Sequence, residues 1–168
     1  MGIIIGIGGV SRAGKTSLAQ RISEWFIDDK VKIFHQDEYV IPKSEMPLIK
    51  GQLDWEHPET MDFMAFRNAI EEAREKYDYI IAEGLMVYNN SFVYELFDKK
   101  IFIEILKDSF LNRKTLDFRW EREPAWYIEH IWDNHFLYGR IPKEMKDVLC
   151  ISGESQFISG IVKNYILN

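Results

Sequence analysis

A chain of 168 residues, 46% hydrophobic and 29% charged, suits a single domain spanning residues 1–168 with a real core. Its formal net charge of −6 argues against a nucleic-acid-binding surface, which would carry a basic patch. No apolar run reaches bilayer-crossing length, so no membrane partner is expected. The N-terminus lacks the basic region of a signal peptide, and a cytoplasmic location is the expectation. The single cysteine, Cys150, has no internal partner; set in Val148-Leu149-Cys150-Ile151, it reads as a small buried hydrophobe.

The first predicted element is the apolar run from Met1 to Ile7, nearly unbroken, as befits a parallel strand covered on both faces. It leads into Gly9-Val10-Ser11-Arg12-Ala13-Gly14-Lys15-Thr16, which fits G-x-x-x-x-G-K-[ST]. In such a loop the backbone around Gly9, Ser11, Ala13 and Gly14, continuing into Lys15, Thr16 and Ser17, wraps the phosphates of a nucleotide. Lys15 reaches the β/γ phosphates and the Thr16 hydroxyl joins Mg²⁺. Gly6-Ile7-Gly8 also begins a dinucleotide fingerprint, but Ser11 stands where its third glycine belongs. A helix over Lys15 to Asp28, with Leu18, Ile22, Trp25 and Phe26 on one side, would aim its positive end at the phosphates.

Val31 to His35 forms a second strand that delivers Gln36-Asp37-Glu38-Tyr39 at its carboxyl end, where ligands gather in open α/β sheets. Asp37 is placed to accept a proton from a substrate hydroxyl. On this reading two neighbouring strand tips hold a triphosphate tail and an acid close enough for in-line attack. Residues 38–58, with Pro42, Pro47, Gly51 and Pro58 among them, have no helical or alternating period and suggest an acceptor-covering loop. Pro58 is expected to start a helix running to about Lys76.

Asp78 to Gly84 reads as a third strand ending in Glu83, a position beside a metal in phosphate-loop enzymes. A short helix over Ser91 to Phe97 and a strand over Lys100 to Leu106 follow. The polar segment 108–123 carries Arg113, Lys114, Arg119 and Arg122, a candidate lid whose guanidiniums could screen a transferring group. Pro124 opens a helix to about Tyr138, in which His130 and His135 read as packing residues with no third ligand at metal-site spacing. Asp147 to Ser152 is a fifth strand, and a last helix after Gly153-Glu154 buries Phe157, Ile158, Ile161, Val162, Tyr165 and Ile166. Strands alternating with helices imply an α/β fold, a parallel sheet with helices on both faces.

The phosphate loop, then His35-Gln36-Asp37-Glu38-Tyr39, Asp54-Trp55-Glu56-His57-Pro58-Glu59, Ala82-Glu83-Gly84 and Pro124-Ala125-Trp126-Tyr127-Ile128 together resemble the uridine kinase-like group of nucleoside kinases. Among these the motifs are most similar to nicotinamide riboside kinases. The resemblance implies a five-stranded parallel sheet of the P-loop kinase type, with ATP and Mg²⁺ as cofactors. It implies phosphoryl transfer to the 5′-hydroxyl of a ribonucleoside, making the partner a small nucleoside-like acceptor. Asp37 would be the general base and would contact the metal, with Glu83 and Thr16 near the same ion. Tyr39, Trp55, Glu56 and Trp126 would line the acceptor, the two tryptophans flanking its base. Glu56 stands where the group usually has aspartate.

A regulatory GTPase would need Asn-Lys-x-Asp and Asp-x-x-Gly strings, which are absent. A nucleotide-binding module without kinase activity, or a kinase for a non-nucleoside acceptor such as pantothenate, is the alternative.

Overall fold

The computed structural model describes residues 1–117, 123–154 and 159–168. Among the described residues, seven strands and six α-helices follow in chain order: β1 (Ile3–Gly9), α1 (Lys15–Trp25), β2 (Val31–His35), β3 (Leu48–Ile49), β4 (Gln52–Leu53), α2 (Phe63–Ala73), β5 (Tyr79–Gly84), α3 (Ser91–Tyr94), β6 (Lys99–Glu104), α4 (Lys107–Thr115), α5 (Ala125–Tyr138), β7 (Val148–Ser152) and α6 (Ser159–Leu167). Five of the strands make one parallel sheet in the order β2-β5-β1-β6-β7, and β3 pairs with β4 as a small antiparallel hairpin.

Each central strand feeds two cores because successive side chains point to opposite faces. Ile5, Ile7, Ile81, Ile101 and Ile103 join Leu18 and Ile22 of α1, Phe110 of α4, Tyr127 and Ile131 of α5, and Val162 and Ile166 of α6. Ile4, Ile80, Ala82 and Phe102 face the other way, onto Phe66 and Ile70 of α2 and onto Val87, Tyr88 and Phe97. Burial on both faces explains why β1 reads as a continuous apolar run rather than an alternating one.

Gly6 and Gly8, the start of the apparent dinucleotide fingerprint, serve packing. A Cβ on Gly6 would strike the Phe97 ring, and one on Gly8 would come within 2.6 Å of the Tyr88 ring. The Tyr88 hydroxyl in turn donates to the Gly6 carbonyl at 2.8 Å, so the ring is held flat against bare backbone.

Three expectations need correction. Cys150 is exposed rather than buried: β7 is an edge strand, and its alternation turns this position outward from the apolar neighbours Leu149 and Ile151. The helix expected from Pro58 is broken, with a 3₁₀ turn at Pro58–Thr60, extended Met61, and α2 starting only at Phe63. A bridge between Val40 and Met61 draws the chain out there, and Asp62 recaps the new helix by accepting from the Ala65 N–H at 2.9 Å. The tips of β1 and β2 are not neighbours, because β5 lies between them. Smaller differences are that α1 stops at Trp25, where Phe26 stacks on Tyr79 at 4.1 Å, and that α6 is described from Ser159, leaving Phe157 and Ile158 outside the described residues. Among the described residues no helix is long and apolar enough to cross a membrane.

Gly8→Ala should destabilise the protein by about 1–3 kcal/mol through overpacking against Tyr88. Urea unfolding would measure it, and an unchanged midpoint would mean that the ring has room to retreat.

Candidate active site

The phosphate loop is shaped by backbone conformations that few residues adopt. Gly9 has φ +147°, and a Cβ there would come within 2.5 Å of the Ile103 carbonyl oxygen. Arg12 at φ +65° and Gly14 at φ +106° turn the chain left-handed before α1 begins at Lys15. Buried Ala13 closes the turn with its N–H on the Val10 carbonyl at 3.1 Å; Ser11 is partly exposed on the turn, and Ser17 lies exposed on the first helical turn. Among the described residues no side chain caps α1, and its first turn holds no acid. Its leading N–H groups and positive dipole end are therefore available to an anion.

Lys15 lies almost fully inside the loop, donating from Nζ to the Val10 carbonyl at 2.9 Å. Burial lowers its pKa from the ordinary lysine value, while the carboxylates of Glu83, Glu56 and Asp37 act to raise it. The acids that act on it electrostatically come from three separate parts of the chain. Glu83 is the best fixed. It ends β5, is 6% exposed, and on one oxygen accepts from the Thr16 hydroxyl at 2.8 Å and from His35 Nδ1 at 2.7 Å. His35 and Glu83 are register partners on neighbouring parallel strands, which explains their meeting. Because a carboxylate only accepts, Nδ1 carries the proton. Asp37 is exposed on the 3₁₀ turn Gln36–Glu38 directly after β2. Beneath that turn, buried Gln36 accepts from the Met86 N–H at 2.9 Å and packs where Gly84 leaves room for no Cβ.

The 38–58 segment is more ordered than its sequence suggests. A 3₁₀ turn at Lys43–Glu45 leads into the β3–β4 hairpin, whose tip carries Lys50 at φ +48° beside Gly51. Burial pushes the Glu56 carboxyl up to about 7, Lys114 and Lys15 opposing the shift and Glu123 and Asp54 adding to it. Lys114, itself buried, pairs with Glu123 at 2.6 Å, across the lid segment. Trp55 is partly exposed with the Lys43 ammonium 5.7 Å from its ring centroid, and Trp126 has the Lys50 ammonium at 4.5 Å. Tyr39 packs its ring on Phe66 at 5.2 Å, on the opposite core.

Arg113 spends its guanidinium on backbone, donating to the Arg12 carbonyl at 3.1 Å and to the Gly153 carbonyl at 2.7 Å. It thereby fastens α4 to the phosphate loop. Arg119 and Arg122 lie outside the described residues. His130 bonds to Asp54 at 2.8 Å, whereas His135 is buried against Phe102, its pKa brought down to about 4 chiefly by burial. Sequence reasoning missed His35, Asp54, Tyr127, His130 and Asn134. The signal for the last three was their spacing on one face of α5.

Taken as chemistry, this rim can hold an anion on one strand tip and offer carboxylate oxygens from the next, the working parts of a P-loop kinase. No family model matches the chain. The nicotinamide riboside kinase of Saccharomyces cerevisiae is 25% identical over 183 aligned positions, covering 79% of this chain and 75% of that protein. A uridine kinase of Mycoplasma genitalium is 30% identical over 147 positions, covering 72% of this chain and 68% of that one. Among solved structures, one described as a possible uridine kinase from Bacillus stearothermophilus shares the fold with a TM-score of 0.58 at 18% identity, covering 88% of each chain. The chain belongs to the uridine kinase-like group of P-loop kinases and is a small-molecule kinase.

Glu56 makes stability depend on pH. Its folded pKa of about 7 lies above the ordinary carboxyl value of 4.5, so the folded state holds the extra proton between those values and stability falls as pH rises through that window. Glu56→Gln should leave the melting temperature unchanged at pH 4 and raise it by several degrees at pH 8, for a gain of about 1–3 kcal/mol. Parallel wild-type and variant curves across that range would show the carboxyl to titrate normally.

Proposed function

We propose that the protein transfers the γ-phosphoryl group of ATP, with Mg²⁺, to a hydroxyl of a small molecule. The acceptor is the 5′-hydroxyl of a ribonucleoside such as nicotinamide riboside, uridine or cytidine. The observation that carries this reading is a phosphate loop that buries Lys15 at the start of a helix without a side-chain cap among the described residues, beside the Thr16 hydroxyl bonded to Glu83 at 2.8 Å. The names of the relatives supply the acceptor class.

The chemistry follows from the side chains. Loop N–H groups and the Lys15 ammonium neutralise the β/γ oxygens. Asp37 takes the proton of the acceptor hydroxyl as its oxygen bonds to the γ-phosphorus and the bond to the β-phosphate oxygen breaks, leaving ADP. Glu56, Trp55 and Trp126 hold the acceptor, and Tyr39 backs the turn that carries Asp37. The lid segment 108–123, with Arg119 and Arg122, shields the transferring group from water, while Arg113 anchors the segment through its bonds to the Arg12 and Gly153 carbonyls. The hydroxyl of Thr16 and the carboxylate of Glu83 are hard oxygen donors that suit Mg²⁺, with Asp37 reaching it through water; bound there, the ion would offset charge on the β and γ phosphates. Among the described residues no cluster of three His, Cys, Asp or Glu side chains could hold a metal ion.

Two measurements test the reading. With ATP and Mg²⁺, ADP release should appear only when nicotinamide riboside, uridine or cytidine is added; release with pantothenate alone, or without any acceptor, would defeat the acceptor assignment. Asp37→Asn should lower kcat by about a hundredfold or more while ATP affinity stays within a few-fold. Near-normal turnover in that variant would remove Asp37 from the role of base.

A further inference from the structure

The face of α5 formed by Trp126, Tyr127, His130 and Asn134 is not turned to solvent or to the sheet alone. It holds the chain from the β3–β4 hairpin to Glu56. The Tyr127 hydroxyl accepts from the Trp55 N–H at 3.1 Å and reaches the Leu53 carbonyl at 3.4 Å. His130 Nε2 bonds to Asp54 Oδ1 at 2.8 Å, and the Asn134 side-chain amide rests 3.1 Å from the same ring nitrogen. At the hairpin tip, the Lys50 ammonium sits over Trp126.

Asp54 is the pivot of this arrangement. It is 7% exposed, and the oxygen that receives His130 also accepts from the Glu56 N–H at 3.1 Å. Its own N–H is tied to the Pro47 carbonyl at 2.9 Å. The Asp54 carboxylate therefore sets the backbone turn through Trp55 that leads into Glu56, whose carboxyl feels the charges of Lys114 and Lys15. A carboxylate with both neighbours removed could rotate freely; with His130 in place it has one orientation.

We propose that His130 is a positioning residue for the acceptor: acting through Asp54, it fixes the direction of Glu56, so that α5 determines where the acceptor is held relative to the phosphate loop. The proposal rests on the reading of Glu56 as an acceptor-binding residue. It assigns His130 no contact with either substrate. Because α5 follows directly on the lid segment, the same helix that ends the lid sets the acceptor loop.

The test compares wild type, His130→Ala and His130→Gln with ATP, Mg²⁺ and the acceptor panel. His130→Ala should raise the acceptor KM tenfold or more while the ATP KM stays within twofold. His130→Gln, whose amide can still donate to Asp54, should restore the acceptor KM to within about threefold of wild type. In His130→Ala the amide protons of Trp55 and Glu56 should exchange faster with solvent, and in His130→Gln they should not. An acceptor KM unchanged in His130→Ala, or acceptor and ATP KM values raised alike, would overturn the proposal. Acceptor-dependent ADP release by the wild type tests the underlying reading separately, and its absence would overturn both.

Discussion

A buried ammonium must be compensated, and in this protein the compensation organises the site. Lys15 is folded into its own loop, with one proton on the Val10 carbonyl and the rest of its charge answered by carboxylates. Those carboxylates come from the end of β5, from the turn after β2 and from the segment after the β3–β4 hairpin. The lysine is thus an electrostatic centre of the site, the cost of its burial opposed by the carboxylates that act on it.

Sheet order decides how those acids are arranged. With β5 between β1 and β2, Glu83 stands directly beside the phosphate loop and Asp37 one strand further out. The parallel register brings His35 level with Glu83, so the inner carboxylate is held by hydrogen bonds from both sides. The outer one sits on an exposed 3₁₀ turn. A buried, bonded acid and an exposed one therefore follow from topology rather than from residue type.

How much of this could be read beforehand depended on distance along the chain. The phosphate loop is contiguous, and its glycines, lysine and threonine declare their use in order. The places of Glu83 and Asp37 at the ends of parallel strands were legible because buried parallel strands read as apolar runs. Strand adjacency was not legible, since five similar apolar runs can be ordered in several ways. The pairing of Asp54 with His130 spans 76 residues and leaves no local trace. The Asp62 cap was hidden by the proline a few residues earlier, which is an equally good helix opener. Cys150 was misplaced because its apolar neighbours speak for a buried strand, whereas β7 has one strand neighbour and is half open.

That open edge has a chemical outcome. As the lone sulfhydryl of the chain, Cys150 has no intramolecular partner, so under oxidising conditions any crosslink it forms must reach a second molecule. Such a covalent dimer would join two chains at their outer strands, on the side of the sheet away from β2. Partial desolvation against the edge of the sheet and the nearby Glu104 carboxylate hold this thiol above its ordinary pKa, which keeps it mostly in the unreactive protonated form near neutrality and slows that crosslinking.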